Sequence, residues 1–333
     1  TLDNSGEIIN GSGEDGLTDG NNKKTVNFND CATCTITNSG TIRSHQDNAI
    51  RADNSSGLTI INSGSIEADA KQTIKGTGGV SNITITNSGT IKAEGGSSTI
   101  FIQEMNTGTF TNTGTISASN EKTFNVAGGD SITITNSGTI TGQGKTLWLS
   151  EVSNSTVTNE SGGTISATDQ ADGALYACCG TDSISNVNGE GAETNLTIVN
   201  EGTITASGSG ADAINVTGID NSTITNRGTL DGGSGTAYDI QIGSGTTGIT
   251  IIIDKSPTFG NGTIELNGTA TTVRLTCTLK KDLSLTISGA GEIIYDNQLC
   301  GNDSYTVSTS GTTDTLTIDG NDLEVETGNS KYK

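Results

Sequence analysis

Thr84-Ile85-Thr86-Asn87-Ser88-Gly89-Thr90-Ile91 decides the fold, because the chain repeats it. Thr35 to Ile42, Thr59 to Ile66, Thr109 to Ile116 and Thr133 to Ile140 are close copies. Thr197 to Ile204 and Thr223 to Leu230 are looser ones, Thr156 to Ile165 carries two extra residues, and Asn4-Ser5-Gly6-Glu7-Ile8 is the tail of another. In each copy Thr, an apolar residue and Thr alternate, as in a strand with one buried face. Ile134 is expected to point inward, with Thr133 and Thr135 pointing out. Asn136 and Gly138 are expected to turn the chain, with glycine there for backbone angles that other residues avoid. Thr139-Ile140 then resumes a strand.

A second apolar pair follows each copy: Val26/Phe28, Ile50/Ala52, Ile74/Gly76, Ile100/Ile102, Phe124/Val126, Leu147/Leu149, Leu175/Ala177, Ile214/Val216 and Ile240/Ile242. The next asparagine comes twelve residues after the first member of the pair at Val26 to Asn38, Ile50 to Asn62, Phe124 to Asn136, Leu147 to Asn159 and Ile214 to Asn226. One coil therefore takes about 24 residues and holds three short strands. This pattern predicts an all-β chain, a right-handed parallel β-solenoid with coils about 4.8 Å apart. Residues 1–253 read as regular coils and 254–333, after the break at Pro257, as a C-terminal continuation or β cap. Two coils are interrupted, by about nine extra residues within 10–24 and about thirteen within 178–193. Insertions in a solenoid gather on one face, often the binding face, but a tolerated surface excursion is the stronger reading here.

Apolar residues make up 30% of the chain and aromatics 3%, which is thin for a globule but enough for the narrow core of a solenoid. With 37 acids against 16 bases, the net charge of −21 disfavours nucleic acid and anionic membranes as partners. It favours solubility at a surface. No stretch is apolar for long enough to make a membrane-spanning helix, so no membrane insertion is expected of this segment. Thr1 in place of Met reads as a processed product or a fragment.

The recurring phrase resembles the passenger domains of bacterial autotransporters. Leu285-Thr286-Ile287-Ser288-Gly289-Ala290-Gly291-Glu292-Ile293-Ile294 resembles the glycine-rich start of their passenger-associated transport repeat. Asn302, Tyr305-Thr306, Thr315-Leu316-Thr317-Ile318 and Leu323-Glu324-Val325 follow in the order of that repeat. The chain departs from it by inserting Gln298-Leu299-Cys300-Gly301, and by Glu292-Ile293-Ile294-Tyr295 in place of a Thr-Leu-Thr-Leu run. The resemblance implies an extended β-helix, extracellular or on the bacterial cell surface, with an adhesive role.

Six cysteines form an even count suited to disulfides outside the cytoplasm. Cys31 and Cys34 are expected to pin a corner, and Cys277 and Cys300 to close the cap. The vicinal Cys178-Cys179 reads as a strained ring or as two thiols for intermolecular links. One zinc site is excluded in this coil scheme, since Cys31 and Cys178 fall about 29 Å apart at the strand spacing. Among the acids, Glu67, Asp69 and Glu94 recur on successive coils, and carboxylates about 5–9 Å apart would suit glycoside hydrolysis. Scattered surface charge is the stronger reading, and His45 stands alone as a surface residue.

Gly232-Gly233-Ser234-Gly235-Thr236-Ala237 follows a calcium nonapeptide only as far as Ala237, where an Asp is needed. The Asp319 to Glu324 run offers oxygens without the twelve-residue loop. The expectation is no cofactor, with adventitious calcium at most. The residue between the members of each second pair should face out, which exposes Phe101, Trp148 and Tyr176 as candidate contacts for a sugar ring or a protein. The competing expectation is that they cover one another or lie under the 178–193 loop. Outward threonine columns resemble ice-binding surfaces, although threonine also suits any β surface.

Together these residues describe a non-catalytic structural or adhesive β-solenoid. Its expected partners are a host-cell surface protein, a glycan or its own subunits. The alternatives are a self-assembling extracellular filament subunit, a polysaccharide-degrading β-helix enzyme and an ice-binding protein.

Overall fold

The computed structural model describes residues 1–11, 24–119, 122–168, 173–178, 193–255, 257–276, 283–295, 304–310 and 313–319. The chain winds as a parallel β-solenoid of about nine coils, about 25 residues apart, with no helix among the described residues. Each coil has three strands. The first follows the Asn-x-Gly turn, as in Thr41–Ser44, Ser65–Ala68 and Thr90–Ala93. The second holds the apolar pair, as in Ile50–Asp53 and Ile74–Thr77, and the third opens the phrase, as in Leu58–Asn62 and Ser81–Asn87. First strands form a ten-stranded sheet of their own. Second and third strands belong to one larger sheet, because they run together in Ser98–Asn112 and Lys122–Asn136.

Like stacks on like. Ile36, Ile60, Ile85, Phe110, Ile134, Val157, Ile198, Ile224, Ile251 and Val273 are register partners in one inward column. All of them are buried. Where the column widens at Phe110, the ring meets Phe124 edge to face, with centroids 4.8 Å apart and planes at 87°. The outward neighbour on the third strand is the threonine column Thr35, Thr59, Thr84, Thr109, Thr133, Thr156, Thr197, Thr223, Thr250 and Thr272. It runs past Thr223 to Thr250 and Thr272, one before and one after Pro257 in the chain.

The asparagine of each phrase lies inside the molecule. Asn4, Asn38, Asn62, Asn87, Asn112, Asn136, Asn159, Asn200 and Asn226 form a ladder in which each Nδ2 donates to Oδ1 of the next coil at 2.7–2.9 Å. Each amide from Asn38 to Asn136 also donates to the glycine carbonyl two residues on, and to a carbonyl at the start of the next first strand. A buried amide is tolerated only when it is satisfied in this way. The ladder stops at Asn226, whose register partner is Ile253.

The glycine of the phrase requires a correction. Gly138 does not have a positive φ. A side chain there would overlap the carbonyl oxygen of Gly114, and Gly64, Gly89 and Gly114 stand in the same relation to the coil before each. The requirement is close coil-to-coil approach rather than an unusual backbone angle. Positive φ is found instead at the corner before the third strand, at Asn154 (49°), Asn195 (63°) and Asn221 (51°), where asparagine tolerates the left-handed region.

At the opposite corner, Thr25, Thr73, Thr99, Thr123 and Thr146 donate to first-strand carbonyls at 2.6–2.9 Å. Parallel stacking continues through Thr263–Leu275 and Leu283–Tyr295. Thr313–Asp319 then pairs antiparallel with Leu283–Tyr295 and with Ser304–Ser310, so the sense of pairing reverses at this end. Of the two interrupted stretches, 10–24 and 178–193, residues 12–23 and 179–192 lie outside the described residues, as do Cys179, Cys277 and Cys300.

Candidate functional site

The outward column of the second strands changes character along the stack. Its register partners are Asn27, Arg51, Lys75, Phe101, Asn125, Trp148, Tyr176, Asn215, Gln241 and Glu265. Phe101, Trp148 and Tyr176 therefore share one line, with Trp148 and Tyr176 on adjacent coils. They are half-buried rather than exposed, and Asn125 and Asn215 beside them are only 5% and 6% exposed. In a parallel stack each side chain shields the next, and the bulky rings cover the small amides.

The rings carry cations. Lys122 Nζ lies 3.7 Å from the Trp148 centroid. Lys145 Nζ reaches two rings, at 4.9 Å from Trp148 and 4.5 Å from Tyr176. Lys75 Nζ lies 5.8 Å from Phe101. An ammonium over a ring face is drawn to its negative quadrupole. Burial pushes the Lys75 ammonium below its ordinary pKa, and the Arg51 guanidinium adds to that. Trp148 Nε1 donates towards Cys178 Sγ, 3.3 Å away. Arg51 Nε pairs with Asp53 at 2.5 Å.

Beyond Tyr176 the line turns polar. Asn215 Nδ2 donates to Asp212 at 2.8 Å and also to Gln241. Gln241 Nε2 donates to Glu265 at 2.7 Å, and the Tyr238 hydroxyl donates to the same carboxylate at 3.0 Å. Burial, then this bond to Glu265, raises the Tyr238 pKa.

Sequence reasoning found the rings and missed Lys122 and Lys145. A signal was present: each stands two residues before the inward residue that opens a second strand, Phe124 or Leu147. That places both on the same neighbouring column. Neither lies between the members of an apolar pair, so the pair pattern does not reveal them.

Glu67, Asp69 and Glu94, at the first-strand face, are ion-paired. Arg43 Nη2 binds both oxygens of Asp69, at 3.0 and 3.1 Å, and Nη1 lies 3.4 Å from Glu67. His45 does not stand alone: its Nδ1 is 2.5 Å from Asp69 Oδ2. Glu94 pairs with Lys92 and accepts from Ser119 at 2.7 Å. Its hydrogen bonds, that from Lys92 first, hold its pKa low. Arg227 bridges Glu201 at 3.1 Å and Asp254 at 2.8 Å.

Asp239 is wholly buried and accepts from the backbone N–H groups of Gly232, Asn261 and Thr263 at 2.8–3.3 Å. Its burial raises its pKa. Among the described residues, no group of three or more His, Cys, Asp or Glu is arranged to hold a metal ion. Cys31 and Cys34 are joined, with Cα atoms 6.1 Å apart, at the corner before a third strand.

Comparison of the chain with protein-family models, with curated proteins and with solved structures finds no match.

Proposed function

We propose that the chain is a non-catalytic extracellular β-solenoid, of the kind found in autotransporter passengers, that adheres to its partner through the outward column of the second strands. The observation that carries this reading is the gathering of Phe101, Trp148 and Tyr176 in one line, with lysines over all three rings. A chain with 3% aromatics places them on a rigid face, where ring contacts contribute most to recognition. The Cys31–Cys34 bridge favours an oxidising compartment, and the acidic surface favours life in solvent. The partner is a host-cell surface protein or glycan, or a second copy of the chain. Immobilised host-cell surface proteins and glycans, probed with wild type and with Trp148→Ala/Tyr176→Ala, test this reading. Binding should fall at least tenfold in the variant, and unchanged binding would remove the face from consideration. The same glycans should be recovered uncut, and release of fragments would make the protein an enzyme.

Ice binding is a second reading, favoured by one observation. Ten threonines occupy successive register positions of one outward column, although Ile61, Val199, Ile252 and Arg274 interrupt the column beside it. It requires a gap between melting and freezing points, and a solution of the protein without thermal hysteresis excludes it.

A further inference from the structure

Asparagine recurs at the corner before the third strand in one particular setting. Asn82, Asn154, Asn195 and Asn221 each stand two residues before a threonine of the outward column, at Thr84, Thr156, Thr197 and Thr223. Asn54-Ser55-Ser56 repeats the spacing where the second strand Ile50–Asp53 ends. All five asparagines have a positive φ, between 49° and 63°, and all five are exposed. The backbone does not demand asparagine here, since Thr107, Ser131 and Ala270 hold the same corner with a positive φ. Each of the five opens an Asn-x-Ser/Thr triplet, the sequence at which an asparagine amide accepts a sugar.

The five amides differ in what they already hold. Asn154 Nδ2 donates to Asp130 at 2.8 Å, and Asn195 Nδ2 donates to Asn154 at 3.1 Å. The amides of Asn54, Asn82 and Asn221 donate to no other described residue. Beside two of them the next coil leaves room: a side chain at Gly78 or Gly248 would overlap the amide oxygen of Asn54 or Asn221. Other copies of the triplet lack this access. Asn159-Glu160-Ser161 and Asn215-Val216-Thr217 have buried asparagines. Asn261 Nδ2 is held by the Gly233 carbonyl at 2.8 Å, and Asn267 stands inside the strand Thr263–Leu275 instead of at a corner.

We propose that Asn54, Asn82 and Asn221 are acceptors for N-linked sugar, and that the buried Asn159 and Asn215 are not. The donor is a glycosyl diphosphate presented by a transferase. Nδ2 attacks the anomeric carbon, and a C–N bond forms as the C–O bond to the diphosphate breaks. The diphosphate leaves with that electron pair, and one Nδ2 proton passes to a base of the transferase. The step is a group transfer with no oxidation or reduction. The hydroxyl of Ser56, Thr84 or Thr223 is the second part of the motif, needed beside the amide. Sugar at these positions adds hydrated bulk along one corner of the rod. The assignment holds whatever the second-strand face binds.

The test is peptide mapping by mass spectrometry on the full chain isolated from the cells that make it, with fragmentation that places each sugar on a residue. Sugar is expected on Asn54, Asn82 and Asn221, and none on Asn159 or Asn215. Thr84→Ala should lose the sugar of Asn82 while keeping those of Asn54 and Asn221. Thr84→Ser should keep all three, because it restores the hydroxyl. The wild-type map decides by itself, so poor folding of either variant leaves the proposal open to refutation.

Sugar on fewer than two of the three asparagines overturns the proposal, as does sugar attached to serine and threonine side chains in their place. Sugar on Asn159 or Asn215 as often as on the corner asparagines overturns it too, because exposure would then not select the site. Sugar kept at Asn82 in Thr84→Ala overturns it on a different ground: the triplet would not be what the transferase recognises.

Discussion

Asn112 shows how much one side chain can do in this fold. It donates to Asn136 at 2.8 Å and accepts from Asn87 at 2.8 Å, and it is 3% exposed. Asn112→Ala leaves the buried Asn136 Oδ1 without its donor, at roughly 1–3 kcal/mol, and takes from Asn87 Nδ2 the shortest of its three bonds. Loss of about 3 kcal/mol in urea unfolding is expected. Asn226→Ala should cost less, because Asn226 Nδ2 already lacks a partner and only the bonds its Oδ1 accepts, from Asn200 and from the Gly228 N–H, disappear. Equal losses would mean that the ladder is not the source of the stability. Asp69 supplies a pH-dependent contribution. Burial works against its charge, but hydrogen bonds from Arg43 and His45 outweigh that and hold its pKa below the ordinary 3.8. A carboxyl held low in the fold adds stability above its unfolded pKa and loses it as pH falls through the folded one. The advantage of wild type over Asp69→Asn should be about 0.5–1 kcal/mol at neutral pH and fade below about pH 4. Chemical denaturation across pH measures it. At this scale the sequence was only half legible. The even spacing of the asparagines was plain, yet they read as turn formers. Their burial depends on each coil supplying the acceptor that the previous one needs, which no local pattern displays.

The Asn-x-Gly turn is the element that sets the distance between coils. At Gly114 a methyl group would overlap the carbonyl of Gly89, and the neighbouring backbone cannot give way without parting the ladder. Gly114→Ala should therefore destabilise by more than the 0.5–1 kcal/mol that glycine usually gains or loses against alanine in an element. Gly79, whose added Cβ meets nothing within 4 Å but whose φ is 79°, is the control for backbone strain alone. Thermal unfolding of both variants separates the causes. If Gly79→Ala costs as much as Gly114→Ala, contact is not the reason for the phrase's glycine. The strands themselves were legible, because alternation of Ile and Thr survives translation into a half-buried sheet. The condition of the outward aromatics was not. Whether a ring lies open or beneath a lysine depends on Lys145, three positions before Trp148, and on Lys122 one coil earlier, on a column of their own.

Across the whole molecule, each coil touches mainly the coils before and after it, so stability spreads as in a one-dimensional array. Ile134→Ala, at a site 2% exposed, should cost about 2–5 kcal/mol. The damage should be local. Hydrogen exchange should rise in the strands of neighbouring coils, Ser98–Asn112 and Thr156–Asn159, and stay as in wild type at Thr41–Ser44. A uniform rise along the chain would show one cooperative unit instead. At this scale the repeat announced the architecture, because a 24-residue period with fixed offsets leaves few ways to bury its isoleucines. Two points needed coordinates: the threonine column runs on through Thr250 and Thr272, and pairing turns antiparallel only at Thr313–Asp319.

The buried amides also give the rod an electric direction. Every ladder Nδ2 points towards the later coil and every Oδ1 towards the earlier one. Side-chain amide dipoles aligned in this way add rather than cancel, and each bond polarises the next. The two ends of the column are consequently unlike. The Asn4 end presents an acceptor and the Asn226 end presents a donor facing Ile253. A coil grafted before Asn4 must bring a donor, and one grafted after Asn226 must bring an acceptor. Turned end for end, neither graft would continue the line.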